Sequence, residues 1–104
     1  MKYIDELKAV IRRLHGTEST HVETVPVVET FQGQTVWEGE VETFLLAGHA
    51  EGILGCYAWA YEDDNGKTQY TAVLKMPPIY SPEDAVRASI IAKVRNERNE
   101  GKKA

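Results

Sequence analysis

Three features of the chain predict an α+β fold in the order α-β-β-β-β-α. Helix-period apolar stripes occupy only its two ends, strand-period alternation fills the stretch between them, and Asn65-Gly66 marks a tight hairpin. The expected architecture is a four-stranded antiparallel meander with both terminal helices packed on one face. A length of 104 residues suits one domain, expected over 1–96 with a polar, frayed tail over 97–104.

Residues 3–15 read as an amphipathic helix. Ile4, Leu7, Ile11 and Leu14 recur at spacings of three and four, with Tyr3 and Val10 flanking the stripe. Asp5 and Glu6 in the first turn and Arg12, Arg13 and His15 in the last complement the helix dipole, and Gly16 supplies a stop.

Val22 to Phe31 is rich in Val and Thr, and Pro26 marks it as an edge strand or a bulge. Val36 to Leu46 alternates Trp37, Val41 and Leu45 against Glu38, Glu40 and Glu42. A loop of Gln32-Gly33-Gln34 pairs Phe31 with Thr35 and Val25 with Val41, gathering the valines beside Trp37, Val41 and Leu45. A slip of one residue would set them among glutamates.

Cys56 to Glu62 alternates Tyr57, Trp59 and Tyr61 against Cys56, Ala58 and Ala60. A two-residue turn at Asn65-Gly66 sets Tyr61 opposite Tyr70, Trp59 opposite Ala72 and Tyr57 opposite Leu74. One face then collects the aromatics with Leu74 and Met76, and this is the face the helices are expected to cover. The other holds Cys56, Ala58, Ala60, Thr71 and Val73. Pro77-Pro78 ends the last strand, because neither residue donates to a ladder. Ser81-Pro82-Glu83-Asp84 opens the second helix with an N-cap, a proline at the first position and acids in the first turn. Val86, Ile90 and Val94 form its stripe, widened by Ala85, Ala88 and Ile91.

The formal net charge of −4 conceals a segregation. Between Leu14 and Gly66 there are ten acids and no Lys or Arg, whereas all twelve basic residues lie outside that stretch with six acids. This pattern excludes a uniformly basic nucleic-acid binder and a disordered acidic chain. No apolar run is long enough to span a membrane. Acids within Met1-Lys2-Tyr3-Ile4-Asp5-Glu6 argue against a signal peptide, and Cys56 is the single cysteine, so a reducing cytoplasm is the expected setting.

Few residues carry recognisable chemistry. His49-Ala50-Glu51 has the H-x-E pattern of zinc deaminases, but the later P-C-x-x-C is missing and Cys56 stands alone. His21, His49 and Cys56 show no paired ligand spacing, so neither metal nor cofactor is expected. Cys56 and His49 as nucleophile and base are disfavoured, because a thiol among small apolar residues behaves as a small hydrophobe. Glu38, Glu40 and Glu42 form a row with spacings of about 7 Å, expected to be a solvated acidic face. Gly48, Gly52 and Gly55 lack the lysine and following helix of a phosphate loop. Tyr57, Trp59 and Tyr70 are candidate ligand-stacking residues. Arg87, the one charge within the second helix's apolar arc, is expected to snorkel or to pair with Glu83 or Asp84.

The order of elements resembles the double-stranded-RNA-binding domain, α-β-β-β-α, with one strand more. That resemblance implies lysine contacts to phosphate from the start of the last helix. This chain has Ser81-Pro82-Glu83-Asp84 there, and acids at that place argue against nucleic acid as a partner. Gln34-Thr35-Val36-Trp37-Glu38-Gly39 resembles the Q-x-V-x-G loop of cystatin inhibitors over six residues, with its glycine one place late. As a whole the chain resembles uncharacterised small single-domain bacterial proteins, mobile cassette-encoded ones among them, a likeness that implies no activity.

The leading functional expectation is a non-enzymatic interaction module. It would form a homodimer through an outer sheet face of Cys56, Ala58, Ala60, Thr71 and Val73. The alternative is a small-molecule binder or enzyme, with a pocket between sheet and helices lined by Tyr57, Trp59 and Tyr70, with Arg87 at hand for an anion.

Overall fold

A computed structural model describes residues 2–103, with side chains described for residues 2–92. Helix α1 (Lys2–His15) leads into strands β1 (Glu18–Phe31), β2 (Gln34–Ala47), β3 (Gly55–Glu62) and β4 (Thr68–Leu74), and helix α2 (Pro82–Lys103) follows. The strands form one antiparallel sheet in the order β1-β2-β3-β4, the expected meander of an α+β fold. The tail expected over 97–104 and the stripe residue Val94 fall where side chains lie outside the described residues.

The two helices do not share a face. Ile4, Leu7 and Ile11 of α1 pack on Phe44, Leu46, Cys56 and Ala58, whereas Ala85 and Val86 of α2 pack on Val27, Val41, Tyr57 and Trp59. The cause lies in β3, which is buried from Gly55 through Trp59 on both sides. A strand apolar on both faces needs a cover on each. Small residues on one side admit the bulky stripe of α1 closely; the large aromatics on the other meet Ala85.

Two turns explain where the register departs from expectation. The β3–β4 turn spans three residues, Asp64-Asn65-Gly66. Asp63 N–H donates to the Lys67 carbonyl at 2.9 Å, Gly66 N–H donates to the Asp63 carbonyl at 2.9 Å, and Gly66 has φ +77°. This is a type I turn closed by a left-handed glycine, and Asp63 Oδ1 reinforces it by accepting the N–H groups of Asn65 and Lys67 at 2.9 and 3.0 Å. The extra residue moves the partners by one: Trp59 faces Thr71, Tyr57 faces Val73, and Ala60 faces Tyr70. Tyr70 and Leu74 therefore change faces, as a one-residue slip requires.

In the first hairpin Val25 faces Val41 as expected, but the turn is Gln32-Gly33, with φ of +53° and +79°. The registry is restored by a bulge between Glu29 and Thr30, opposite Val36, and a second irregularity falls at Val22. Pro26 sits on an edge strand, since β1 ends the sheet. Trp37 lies across Gly39, where a Cβ would come within 3.1 Å of its ring, and meets Trp59 edge-on at 5.8 Å.

Both helix boundaries follow the sequence signals. Gly16, at φ +66°, donates its N–H to the Arg12 carbonyl at 2.9 Å. Ser81 Oγ accepts the Asp84 N–H at 3.1 Å, and Asp84 Oδ2 accepts the Tyr80 N–H at 3.1 Å, a reciprocal cap. Leu14, expected in the α1 stripe, is exposed instead. Leu7, wholly buried at the centre of the α1 layer, is the sensitive position. Leu7→Ala is expected to cost about 3 kcal/mol in urea unfolding, whereas Leu14→Ala stays within about 0.5 kcal/mol of wild type.

Candidate functional site

The sequence-nominated ligand residues do not converge. Tyr57 and Trp59 lie under α2, whereas Tyr70 lies on the α1 side and donates its hydroxyl to Glu6 Oε2 at 3.0 Å. That bond, followed by burial and the nearby carboxylate charge, raises the Tyr70 phenol above its ordinary range. Arg87 reaches from α2 to β1, donating Nη2 to Glu29 Oε1 at 2.9 Å and Nε to Oε2 at 3.4 Å. Asp84 is a secondary partner at 3.5 Å. The guanidinium fastens the helix to the sheet edge rather than awaiting an anion.

The outer face expected of Cys56, Ala58, Ala60, Thr71 and Val73 does not exist as one surface. Cys56 and Ala58 are buried beneath α1, and Ala60 is half-buried. Thr71 and Val73 follow the register to the opposite side, where Val73 packs against the α2 layer. Burial pushes the Cys56 thiol up to about 12, so it is neither nucleophile nor ligand at neutral pH. Among the described residues no group of three or more His, Cys, Asp or Glu converges as a metal site. His49 belongs to the connection before β3, where its Nδ1 accepts the Glu51 N–H at 3.1 Å.

The acidic row divides. Glu38 and Glu40 are exposed, but Glu42 is buried and has a side chain only 6% exposed. Its Oε1 accepts from His21 Nε2 at 2.8 Å and from the Thr24 hydroxyl. His21 packs in turn against the Phe44 ring at 5.4 Å. The sequence reading missed this pair because the irregularity at Val22 places His21 opposite Phe44, whereas an unbroken register would have aligned it with Leu45.

An apolar groove of about 880 Å³ was not foreseen either. It opens on the α2 side, at the end of the sheet beyond the start of that helix. Tyr57 lies in its floor and Leu45, 58% exposed, rises from β2. One wall is Ile53-Leu54 between two glycines; the other is Met76, Pro77 and Tyr80 from the link to α2. Leu54 is anchored through its carbonyl, which accepts the Leu46 N–H at 2.9 Å, yet its side chain is 73% exposed. Tyr80, 63% exposed, is held beside the mouth by the cap on its N–H. Glu23 and Lys75 lie at the rim, with the Lys75 stem folded over Gly55. Burial, then the charges of Asp84 and Glu83, raise the Tyr57 phenol above its usual value and keep it neutral. Large apolar side chains beside Gly or Pro in the two loops were the available signal.

Compared with known protein families, curated proteins and solved structures, the chain matches none. Among the described residues no helix is long and apolar enough to cross a membrane.

Three expectations follow from the buried groups. Thiol reagents leave Cys56 unmodified in the native state and label it in urea. A thiol titrating at about 12 folded but near 9 unfolded retains its proton longer in the native state. Stability is therefore lost as pH rises above 9, by up to about 1.4 kcal/mol per pH unit from this group, and Cys56→Ala flattens that slope. His21→Ala, which takes from buried Glu42 one of the two hydrogen bonds at its Oε1 and leaves that of Thr24, is expected to cost about 2 kcal/mol by urea denaturation.

Proposed function

We propose that the protein is a binding module for a predominantly apolar small molecule, held in the groove between β2, the 48–54 connection and the link into α2. The observation that carries this reading is the concentration of exposed Leu45, Leu54, Met76 and Tyr80 around one concavity of about 880 Å³. Ligand sites are typically concavities of about 300–1,000 Å³ with apolar walls and few polar groups. Tyr57 supplies a neutral hydroxyl at the floor, and Glu23 and Lys75 offer one charge of each sign at the rim. Binding alone is proposed, with no chemical step. A cytoplasmic setting belongs to the same proposal, supported by the single free thiol.

A thermal-shift screen of apolar and amphipathic small molecules tests this reading. A ligand at about 100 times its Kd stabilises the native state by about 2.7 kcal/mol. Leu54→Ser and Tyr80→Ser are expected to abolish that gain while leaving the unliganded melting temperature nearly unchanged, because both side chains are mostly exposed. A shift that survives both substitutions, or a screen without shifts, refutes the assignment.

A further inference from the structure

The sheet has two edges, and they differ in how they are guarded. Edge strands are normally protected by charge, proline, bulges or a covering group. β1 carries Glu18, Glu23 and Glu29, Pro26 at its middle and the irregularity at Val22. β4, Thr68–Leu74, has no charged side chain, no proline and no bulge.

The backbone direction of β4 follows from two hydrogen bonds at its ends. Asp63 N–H donates to the Lys67 carbonyl, and Lys75 N–H donates to the Gly55 carbonyl at 2.8 Å. Odd-numbered residues of β4 thus bond to β3, and Thr68, Tyr70, Ala72 and Leu74 turn their N–H and C=O groups outward. One side chain answers this edge among the described residues: His15, the last residue of α1, whose Nε2 lies 2.9 Å from the Ala72 carbonyl. As the donor in that pair, the ring covers the middle of the edge.

We propose that β4 is a strand-addition edge for a second copy of this chain, with His15 as its latch. Antiparallel pairing about Ala72 makes the strand self-complementary. Tyr70 then lies opposite the partner's Leu74, and Thr71 opposite the partner's Val73. Both are apolar or β-branched pairs of the sort that stabilise a sheet. The outward N–H groups of Tyr70, Ala72 and Leu74 meet carbonyls of the partner strand; the Leu74 carbonyl, which already accepts the Met76 N–H at 3.1 Å, takes its new bond on the second lone pair. The acidic β1 offers no such match, so association closes at two copies rather than propagating. Release of the latch exchanges one imidazole–carbonyl bond in each copy for a shared ladder, so its strength sets the affinity rather than the register.

Sedimentation velocity on the full chain from about 5 to about 500 µM, with amide hydrogen exchange at both ends of that range, tests the proposal. The expected result is a monomer–dimer equilibrium in which Tyr70, Ala72 and Leu74 amides gain protection with concentration. His15→Ala tightens the dimer about 25-fold, the worth of two hydrogen bonds, one released by each copy. Ala72→Pro, which removes an outward N–H, abolishes it with an unchanged circular dichroism spectrum. Should that variant unfold, exchange on the wild type decides alone. A monomer throughout for both wild type and His15→Ala overturns the proposal, as does new protection at β1 or in the groove.

Discussion

The whole arrangement depends on β3 being apolar on both faces. Cys56 and Ala58 point to one side, Tyr57 and Trp59 to the other, and all four are buried. A small domain cannot leave either set in water: each large side chain returned to solvent costs about 1.5–3 kcal/mol. One helix per face is the smallest solution, and the chain supplies one at each end. The cost is that neither helix covers a full face. α1 layers over Phe44, Leu46 and the small residues of β3, whereas α2 layers over Val27, Val41 and the aromatics.

The Asp63 turn decides what shares each layer. Its third residue gives Tyr70 and Leu74 to the α1 side and Thr71 and Val73 to the α2 side. Tyr70, with its bulk, fits beside Ala58 and Ala60, and its hydroxyl reaches Glu6. On the other face Trp59 already fills the space with Trp37, and a smaller Thr71 opposite it avoids crowding. Turn chemistry and side-chain volume thus select the same register, the local and global agreement expected of a foldable sequence.

The element order, the helix caps and the edge position of Pro26 were legible in the sequence because each has a local cause; the Val25–Val41 pairing was legible from the alternation of valines against glutamates, although the bulge opposite Val36 offsets a turn one residue shorter than the sequence suggests. Periodicity, Gly16 and Ser81 act within a few residues of themselves. The face of each helix was not legible from the alternation of β3 alone. Ala and Cys on its second side suggest a weakly apolar exterior, although an uncharged strand of that kind is the signature of cover on both sides. Asn65-Gly66 pointed to a two-residue turn; the carboxylate of Asp63, two positions earlier, tipped the balance to three. The Glu42–His21 pair and the groove depended on non-local geometry: an irregular residue at Val22 for the first, the starting point of α2 for the second.

That starting point connects the fold to its most distinctive surface. Pro77, Pro78 and Pro82 lack backbone N–H groups, and the Ser81–Asp84 cap closes the turn immediately ahead of α2. The helix therefore begins over Tyr57 and runs toward Val27 and Glu29, where Arg87 fastens it. Leu45, at the opposite end of β2, is left without a covering helix. In an antiparallel meander the same residue faces the 48–54 connection, which ends on Gly55 and brings Leu54 alongside. The groove is thus what remains when a sheet longer than its helix must be covered from one end. Its apolar walls persist because Leu45 and Leu54 belong to backbone fixed by strand pairing and by the Leu46–Leu54 hydrogen bond, so the cavity cannot close by local collapse.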